Sequence, residues 1–286
     1  MTRRYVIIIG AMKSGTTTLF DLLAQHPAIA PASNKEPGFF AFDNVWKQGF
    51  DWFDTLFDFD PETHAYRLEA STDYTKAPFV PGVWERMTSD PDVEVKLIYI
   101  MRHPIRRIES HARHVQVARR EIGREVSERP DHSLEAGISP VNIAISHYAD
   151  QLDVYGDAWA TGRLHCLTLE DLKAEPNASM ARIWAFLDLD PLPQDSLPHS
   201  NARNRTRPGA GWKRLTSIGP LVALGKLILP QSARQALRAR AMTPVRAEGR
   251  FTLTEAETAE LQARYAPDLD RLEQTYGVAA RRIWSL

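Results

Sequence analysis

The chain opens on the apolar run YVIII at residues 5–9, which ends at Gly10. An unbroken β-branched run closed by glycine is the pattern of a strand buried on both faces of a parallel sheet. Directly after it, SGTTTLFDLLAQHP sets Leu19, Leu22 and Leu23 at helical spacing and stops before Pro27, so strand, turn and helix follow without a gap. The same reading predicts strands at AYRLEA (65–70), VEVKLIYIM (93–101) and RLHCLTL (163–169). Helical patterns alternate with them: HPIRRIESHARHVQVARREIG with Pro104 in its first turn, NIAISHYADQLDVYGDAW as one amphipathic helix, and PNASMARIWAFLDL capped by Asn177. Near the end, Thr254 and Glu257 stand in capping-box register, and Pro267 is expected to divide the helical run 252–277 in two. Alternating strands and helices predict an α/β fold in three layers, a mostly parallel central sheet flanked by helices.

With 286 residues, 43% hydrophobic and 25% charged, the chain has the make-up of a soluble globular protein. The expected organisation is a core at 1–200, with 201–286 as a basic, helical C-terminal part of the same domain. The net charge of -1 hides an asymmetry, because residues 201–250 hold eleven Lys or Arg against the single acid Glu248. Such a stretch fits an anionic ligand or a membrane surface, or else a solvated basic helix face. Within it, the apolar run 218–230 reads as a lid helix or, over 212–240, as a peripheral membrane contact. Cys166, the only cysteine, lies in an apolar strand and reads as a structural thiol. No run approaches the roughly 18 apolar residues of a membrane span, so a cytoplasmic location is expected. The charged stretch 121–140 is expected to be a mobile surface insertion, and the aromatic stretch 39–59 an exposed surface that lines a cleft or meets a partner.

The candidate chemistry begins at the first turn. Gly10 and Gly15 keep the glycine spacing of a P-loop, but Thr16 stands where that loop has its lysine, and Lys13 comes two residues before Gly15. Free N–H groups and the helix dipole at such a turn favour phosphate oxygens. Gly15 admits close approach, and Ser14, Thr16, Thr17 and Thr18 offer hydroxyls. At the end of a later strand, YIMRHPIRRIES places Arg102 and Ser110 eight residues apart. An arginine fork at the carboxyl edge of a strand, with a hydroxyl on the next helix, suits a second, separate phosphate. One ligand with phosphates at two ends fits both sites.

Here the sequence resembles the sulfotransferases that use 3′-phosphoadenosine 5′-phosphosulfate (PAPS), in their carbohydrate (heparan-type) and bacterial branch. AMKSGTTTL resembles the family's 5′-phosphosulfate loop and YIMRHPIRRIESH its 3′-phosphate motif. NKEPGFF at 34–40 resembles the K-E-x-x-F-F segment whose glutamate is the proposed base, and LEASTDY at 68–74 resembles a stretch that lines the acceptor cleft. The resemblance implies a P-loop NTPase-like sulfotransferase fold. It implies cofactor contacts from Lys13, Ser14, Gly15, Thr16, Thr17, Thr18, Arg102 and Ser110; apart from the resemblance, Arg203, Arg205 and Arg207 of the basic stretch are candidates for the cofactor. It further implies acceptor-side roles for Lys35, Ser71 and Tyr74, and catalysis by Glu36 and Lys13. Gly38 and Ala70 replace a histidine and a lysine of some relatives, and the acceptor class stays open among small-molecule, sugar and lipid hydroxyls or amines.

Glu36, as general base, would work near neutral pH if a buried cleft raised its proton affinity, and Lys13 would stabilise charge on the departing 3′,5′-bisphosphoadenosine. No metal is expected, because no acidic or paired-histidine set accompanies the loop; His111 and His114 share a helix but no base stands between them. No nucleic-acid partner is expected. Two other readings share the architecture: a P-loop nucleoside or small-molecule kinase, which would need a lysine at Thr16 and magnesium, and a non-catalytic nucleotide-binding module.

Overall fold

Five parallel strands carry the protein's core: β1 (Arg3–Gly10), β2 (Ile29–Pro31), β3 (Tyr66–Glu69), β4 (Val93–Met101) and β5 (Leu164–Thr168), in spatial order β2-β3-β1-β4-β5. This is a computed structural model of the chain, and it describes residues 2–121, 139–192, 206–208, 242–244 and 252–286. β1 lies at the centre and pairs Ile7 with Glu69 on one side and with Leu97 on the other. Its run from Tyr5 to Ile9 is wholly buried. Tyr5, Ile7 and Ile9 enter one core with Phe39, Phe53 and Tyr148, while Val6 and Ile8 enter another with Leu19, Leu22 and Trp184. A strand buried on both faces needs apolar residues at every position, which is why its sequence does not alternate. The predicted three-layer α/β architecture is therefore present.

β2 escaped the sequence reading because it is three residues long and ends at a proline. The run at 142–159 is not one helix but three short ones, Pro140–Ala144, Tyr148–Asp153 and Gly156–Ala160. The second has its own start because the Asp268 carboxylate accepts from the Ala149 and Asp150 N–H groups, each at 3.2 Å. The helix Pro176–Leu187 starts at Pro176 with Glu175 before it, so Asn177 lies inside it and does not cap it. Proline at the first helical position has no N–H to leave unpaired.

The C-terminal helix Glu255–Tyr276 carries the predicted capping box: Thr254 N–H donates to Glu257 Oε2 at 2.8 Å and Glu257 N–H to Thr254 Oγ1 at 3.2 Å. It runs through Pro267 unbroken, against expectation. Leu261, Tyr265, Leu269 and Leu272 are buried on both sides of the proline, and that stripe holds the two halves on one surface. The aromatic stretch 39–59 is partly core, since Phe39, Phe40 and Phe53 are fully buried and Phe39 stacks on Phe53 at 4.2 Å. Phe42 alone among its phenylalanines is strongly exposed. Cys166 sits opposite Tyr99 in the sheet, and burial pushes its thiol up to about 12, in keeping with a structural role.

The chain divides into two compact units, one formed by 1–198 with 251–286 and the other by 199–250. In the second, the described residues form an antiparallel pair, Thr206–Pro208 with Met242–Pro244. The expected insertion at 121–140 lies almost wholly outside the described residues, as do Arg203, Arg205 and the apolar run 218–230. No helix among the described residues is long and apolar enough to cross a membrane.

Candidate active site

The turn between β1 and the helix Thr16–Leu23 is built around two left-handed residues, Lys13 (φ 71°) and Gly15 (φ 95°). Ala11 N–H donates to Ile100 O at 2.7 Å and Ser14 N–H to Ala11 O at 3.1 Å, which ties the turn to β4 and closes it on itself. At Gly10 a Cβ would lie 2.0 Å from Thr75 Oγ1, whose hydroxyl donates to Ile9 O at 2.9 Å. At Gly15 a Cβ would lie 2.7 Å from Leu169 Cδ1. Gly10 is required by close approach, whereas Gly15 is required mainly by its left-handed backbone angle, since the tip of Leu169 can shift.

Ser14 is fully buried and its Oγ has no hydrogen-bond partner. A buried hydroxyl without a partner costs free energy, and a ligand oxygen would satisfy it. Thr16 and Thr18 are buried around it, and Thr17 is partly exposed. The predicted loop residues therefore occur together, in the strand–turn–helix context a phosphate site requires.

Arg102 is the first residue beyond β4, and its Nη1 donates to the main-chain O of Lys13 at 3.3 Å. Tyr148 Oη donates to Arg102 O at 2.5 Å and fixes the backbone there. Burial pulls the arginine below its ordinary pKa, opposed by Glu170 and Tyr148; it remains a cation. Ser110 follows, half-buried, on the helix Pro104–Glu121. The two predicted phosphate motifs thus meet at one edge of the sheet, the carboxyl edge of adjacent strands β1 and β4.

Three residues of this edge were not anticipated as site residues. His111 Nδ1 lies 3.0 Å from Met12 Sδ in the loop. Burial, with the charges of Arg107, His114, Lys13 and Lys76, pushes its imidazole down to about 3, so it is neutral beside a set of cations. Arg107 is wholly buried, with Nε donating to Ser146 Oγ at 2.7 Å and Nη2 to Asn142 Oδ1 at 2.7 Å. Lys76 pairs with Asp73 at 2.5 Å. The signal for Arg107 and His111 was present, because both lie inside the motif that contains Arg102 and Ser110, but nothing in the sequence says which side of the helix faces the loop.

On the β3 side, Lys35 Nζ pairs with Glu36 Oε1 at 2.5 Å. The Glu36 side chain is 46% exposed, so among the described residues its carboxylate stands in a partly solvated ion pair and not in a buried cleft. Ser71 and Tyr74 are buried, and their hydroxyls are engaged. Ser71 Oγ accepts from Gly38 N–H at 2.9 Å and Tyr74 Oη from Phe40 N–H at 3.3 Å, and both donate to Glu69 Oε1. They shape the wall beneath the 35–40 turn. Thr75, next in the chain, joins that wall to the entry of the phosphate loop.

Among the described residues one group has metal-ligand proximity: ligand atoms of His147, Asp150 and Asp268 lie within 4.8 Å of one another. It belongs to the helix-capping arrangement of Asp268 described above, not to the loop.

A profile of the sulfotransferase domain matches residues 3–202. Mouse heparan sulfate glucosamine 3-O-sulfotransferase 3A1 is 27% identical over 249 residues, covering 81% of this chain and 58% of that protein. Human heparan sulfate glucosamine 3-O-sulfotransferase 5 is 26% identical over 190 residues, covering 65% of this chain and 53% of that one. The chain thus spans little more than half the length of these curated relatives. Among solved structures, a sulfotransferase from Alicyclobacillus acidocaldarius superposes with a TM-score of 0.61 at 23% identity, covering 96% of each chain, a likeness of fold. With the profile spanning both phosphate motifs and the sheet that carries them, the chain belongs to the sulfotransferase domain family.

Proposed function

We propose that the protein transfers a sulfuryl group from PAPS to a hydroxyl or amine of a small-molecule, sugar or lipid acceptor. The observation that carries the reading is the contact of Arg102 with Lys13, which joins a phosphate loop to a second cationic motif. A mononucleotide with phosphate at one end would use the loop alone; a 3′,5′-bisphosphate uses both. The loop amides of 13–18, the orphan hydroxyl of Ser14 and the Lys13 ammonium would hold the 5′ end, and Arg102 with Ser110 the 3′-phosphate. When bound, PAPS supplies a sulfuryl group on a leaving 3′,5′-bisphosphoadenosine.

The chain's own part is to position and to move one proton. Glu36 removes the proton from the acceptor hydroxyl or amine, whose lone pair then forms the new bond. Lys35, already beside Glu36, is held at the same turn by Ala70 N–H donating to Lys35 O at 3.0 Å. Lys13 and the loop N–H groups stabilise charge on the departing phosphate oxygen, as preorganised donors do where charge develops. The heparan sulfate glucosamine relatives favour a sugar acceptor over the other two classes.

The test is transfer of sulfur-35 from labelled PAPS to a panel containing a desulfated heparan oligosaccharide, a phenol and an amino lipid, with the Glu36→Gln variant beside it and EDTA throughout. Labelled product that depends on Glu36 supports the reading. Activity that EDTA abolishes, with ATP as the preferred donor, favours the kinase alternative.

A further inference from the structure

Glu69 ends β3 inside the protein with no exposed surface. Its Oε1 accepts from both the Ser71 and the Tyr74 hydroxyls, the latter at 3.0 Å, while Oε2 is buried with no hydrogen-bond partner. Each hydroxyl, having spent its proton on Glu69, turns a lone pair to a main-chain N–H: Ser71 to Gly38, Tyr74 to Phe40. One carboxyl oxygen therefore orients two hydroxyls, and these hold two amides of the segment directly after Glu36. With the bond from Ala70 N–H to Lys35 O, the 35–40 turn is tied to 69–74 at three points. Thr75 ties the same segment to Ile9 at the loop entry.

We propose that Glu69 is a positioning residue for sulfuryl transfer, which holds the Lys35–Glu36 pair in register with the phosphate loop through Ser71 and Tyr74. The inference rests on the reading of Glu36 as the base. The geometry fits a neutral carboxylic acid: both donors meet Oε1, as they would a carbonyl oxygen, which leaves Oε2 to carry the proton. An unpaired neutral acid is far less costly to bury than an unpaired carboxylate. Burial pushes the carboxyl up to about 8; the Ser71 and Tyr74 bonds and the Lys35 charge lower it, and Glu36 raises it further. Tyr155, also fully buried, is a further titratable group that senses Glu69.

A neutral acid that only accepts two hydroxyl bonds can be replaced by an amide, whereas a proton-transfer group cannot. Three variants of the 286-residue chain decide it: Glu69→Gln, Glu69→Leu, and the milder pair Ser71→Ala with Tyr74→Phe in case the leucine protein fails to fold. Amide hydrogen exchange at Gly38 and Phe40 is measured with the kcat and KM of labelled transfer. Glu69→Gln should keep protected amides and a kcat within about threefold of wild type, because its carbonyl accepts the same two bonds. Glu69→Leu, or the Ser71/Tyr74 pair, should speed exchange at both amides and lower kcat by roughly 10- to 100-fold at nearly unchanged affinity for the bisphosphate, the size expected of a misplaced catalytic group. Unchanged exchange in these variants, loosened amides with wild-type kcat, or a glutamine variant as damaged as Glu36→Gln would each overturn the proposal. A Glu36→Gln protein with undiminished transfer would instead remove the base assignment, and the exchange rates would still report what Glu69 anchors.

Discussion

Arg102 Nη1 donates to the main-chain oxygen of Lys13 at 3.3 Å, across 89 residues of sequence, so the residue that opens the second phosphate motif touches the crest of the first. β1 and β4 are parallel neighbours, and their carboxyl ends deliver both residues to one edge. The contact brings the two motifs side by side. It also means that a change at Arg102 is felt at Lys13.

Arg102→Ala should weaken binding of 3′,5′-bisphosphoadenosine by roughly 10- to 150-fold, the equivalent of about 1.5–3 kcal/mol for charge-assisted bonds. Arg102→Lys should recover only part of this, since an ammonium cannot both reach the Lys13 carbonyl and present a fork to phosphate. Calorimetry reads both. An alanine variant with wild-type affinity places the 3′-phosphate elsewhere.

Glu36→Gln should lower kcat by about 10²–10⁴-fold, the usual worth of general-base catalysis. Its affinity for the bisphosphate should stay unchanged, because Glu36 belongs to the 35–40 turn and not to the loop. A variant that loses affinity and kcat together would make Glu36 part of the cofactor site.

The strand–turn–helix at 5–23 and the strand-to-helix step that carries Arg102 and Ser110 were legible in the sequence because each is local: the elements follow one another without a gap. The buried wall was not. Glu69 lies inside LEASTDY, yet only the fold shows that its carboxyl is buried and that Ser71 and Tyr74 hydroxyls are spent on it and on Gly38 and Phe40. The same limit explains the aromatic stretch: Phe39 and Phe53 are 14 residues apart in sequence and stacked in space, so part of a run that looks like exposed surface is core. Pro267 shows the converse, a local helix breaker overruled by a buried stripe on either side of it.

Gly10→Ala should destabilise the fold by about 1–3 kcal/mol, as forced backbone and steric strain does, because its Cβ would lie 2.0 Å from Thr75 Oγ1. Gly156→Ala is the control, since a Cβ there meets nothing within 4 Å. Chemical denaturation of the two variants should separate them. Equal stability would mean that Thr75 can move away from the loop entry at little cost.

His111 provides a pH signature. Its imidazole ordinarily titrates near 6.5, and in the folded protein it is pushed down to about 3 by burial and the surrounding cations. Between those values the unfolded chain binds a proton that the native protein refuses, so this contribution to stability is present above about pH 6.5 and is lost as pH falls toward 3. The slope is at most about 1.4 kcal/mol per pH unit for one group. Replacement by His111→Leu should flatten the melting temperature across that window. A wild-type profile flat from pH 6.5 to 4, or one that the variant leaves unaltered, would contradict the placement of His111 beside Met12 and the cations.

Use of a 3′,5′-bisphosphate ligand is tested most directly by calorimetric titration of the chain with 3′,5′-bisphosphoadenosine in EDTA, beside ATP and AMP. The expected result is binding of the bisphosphate without metal, much tighter than either control and weakened roughly 10- to 150-fold in Arg102→Ala. Equal or tighter binding of ATP, or no binding of the bisphosphate, would contradict it.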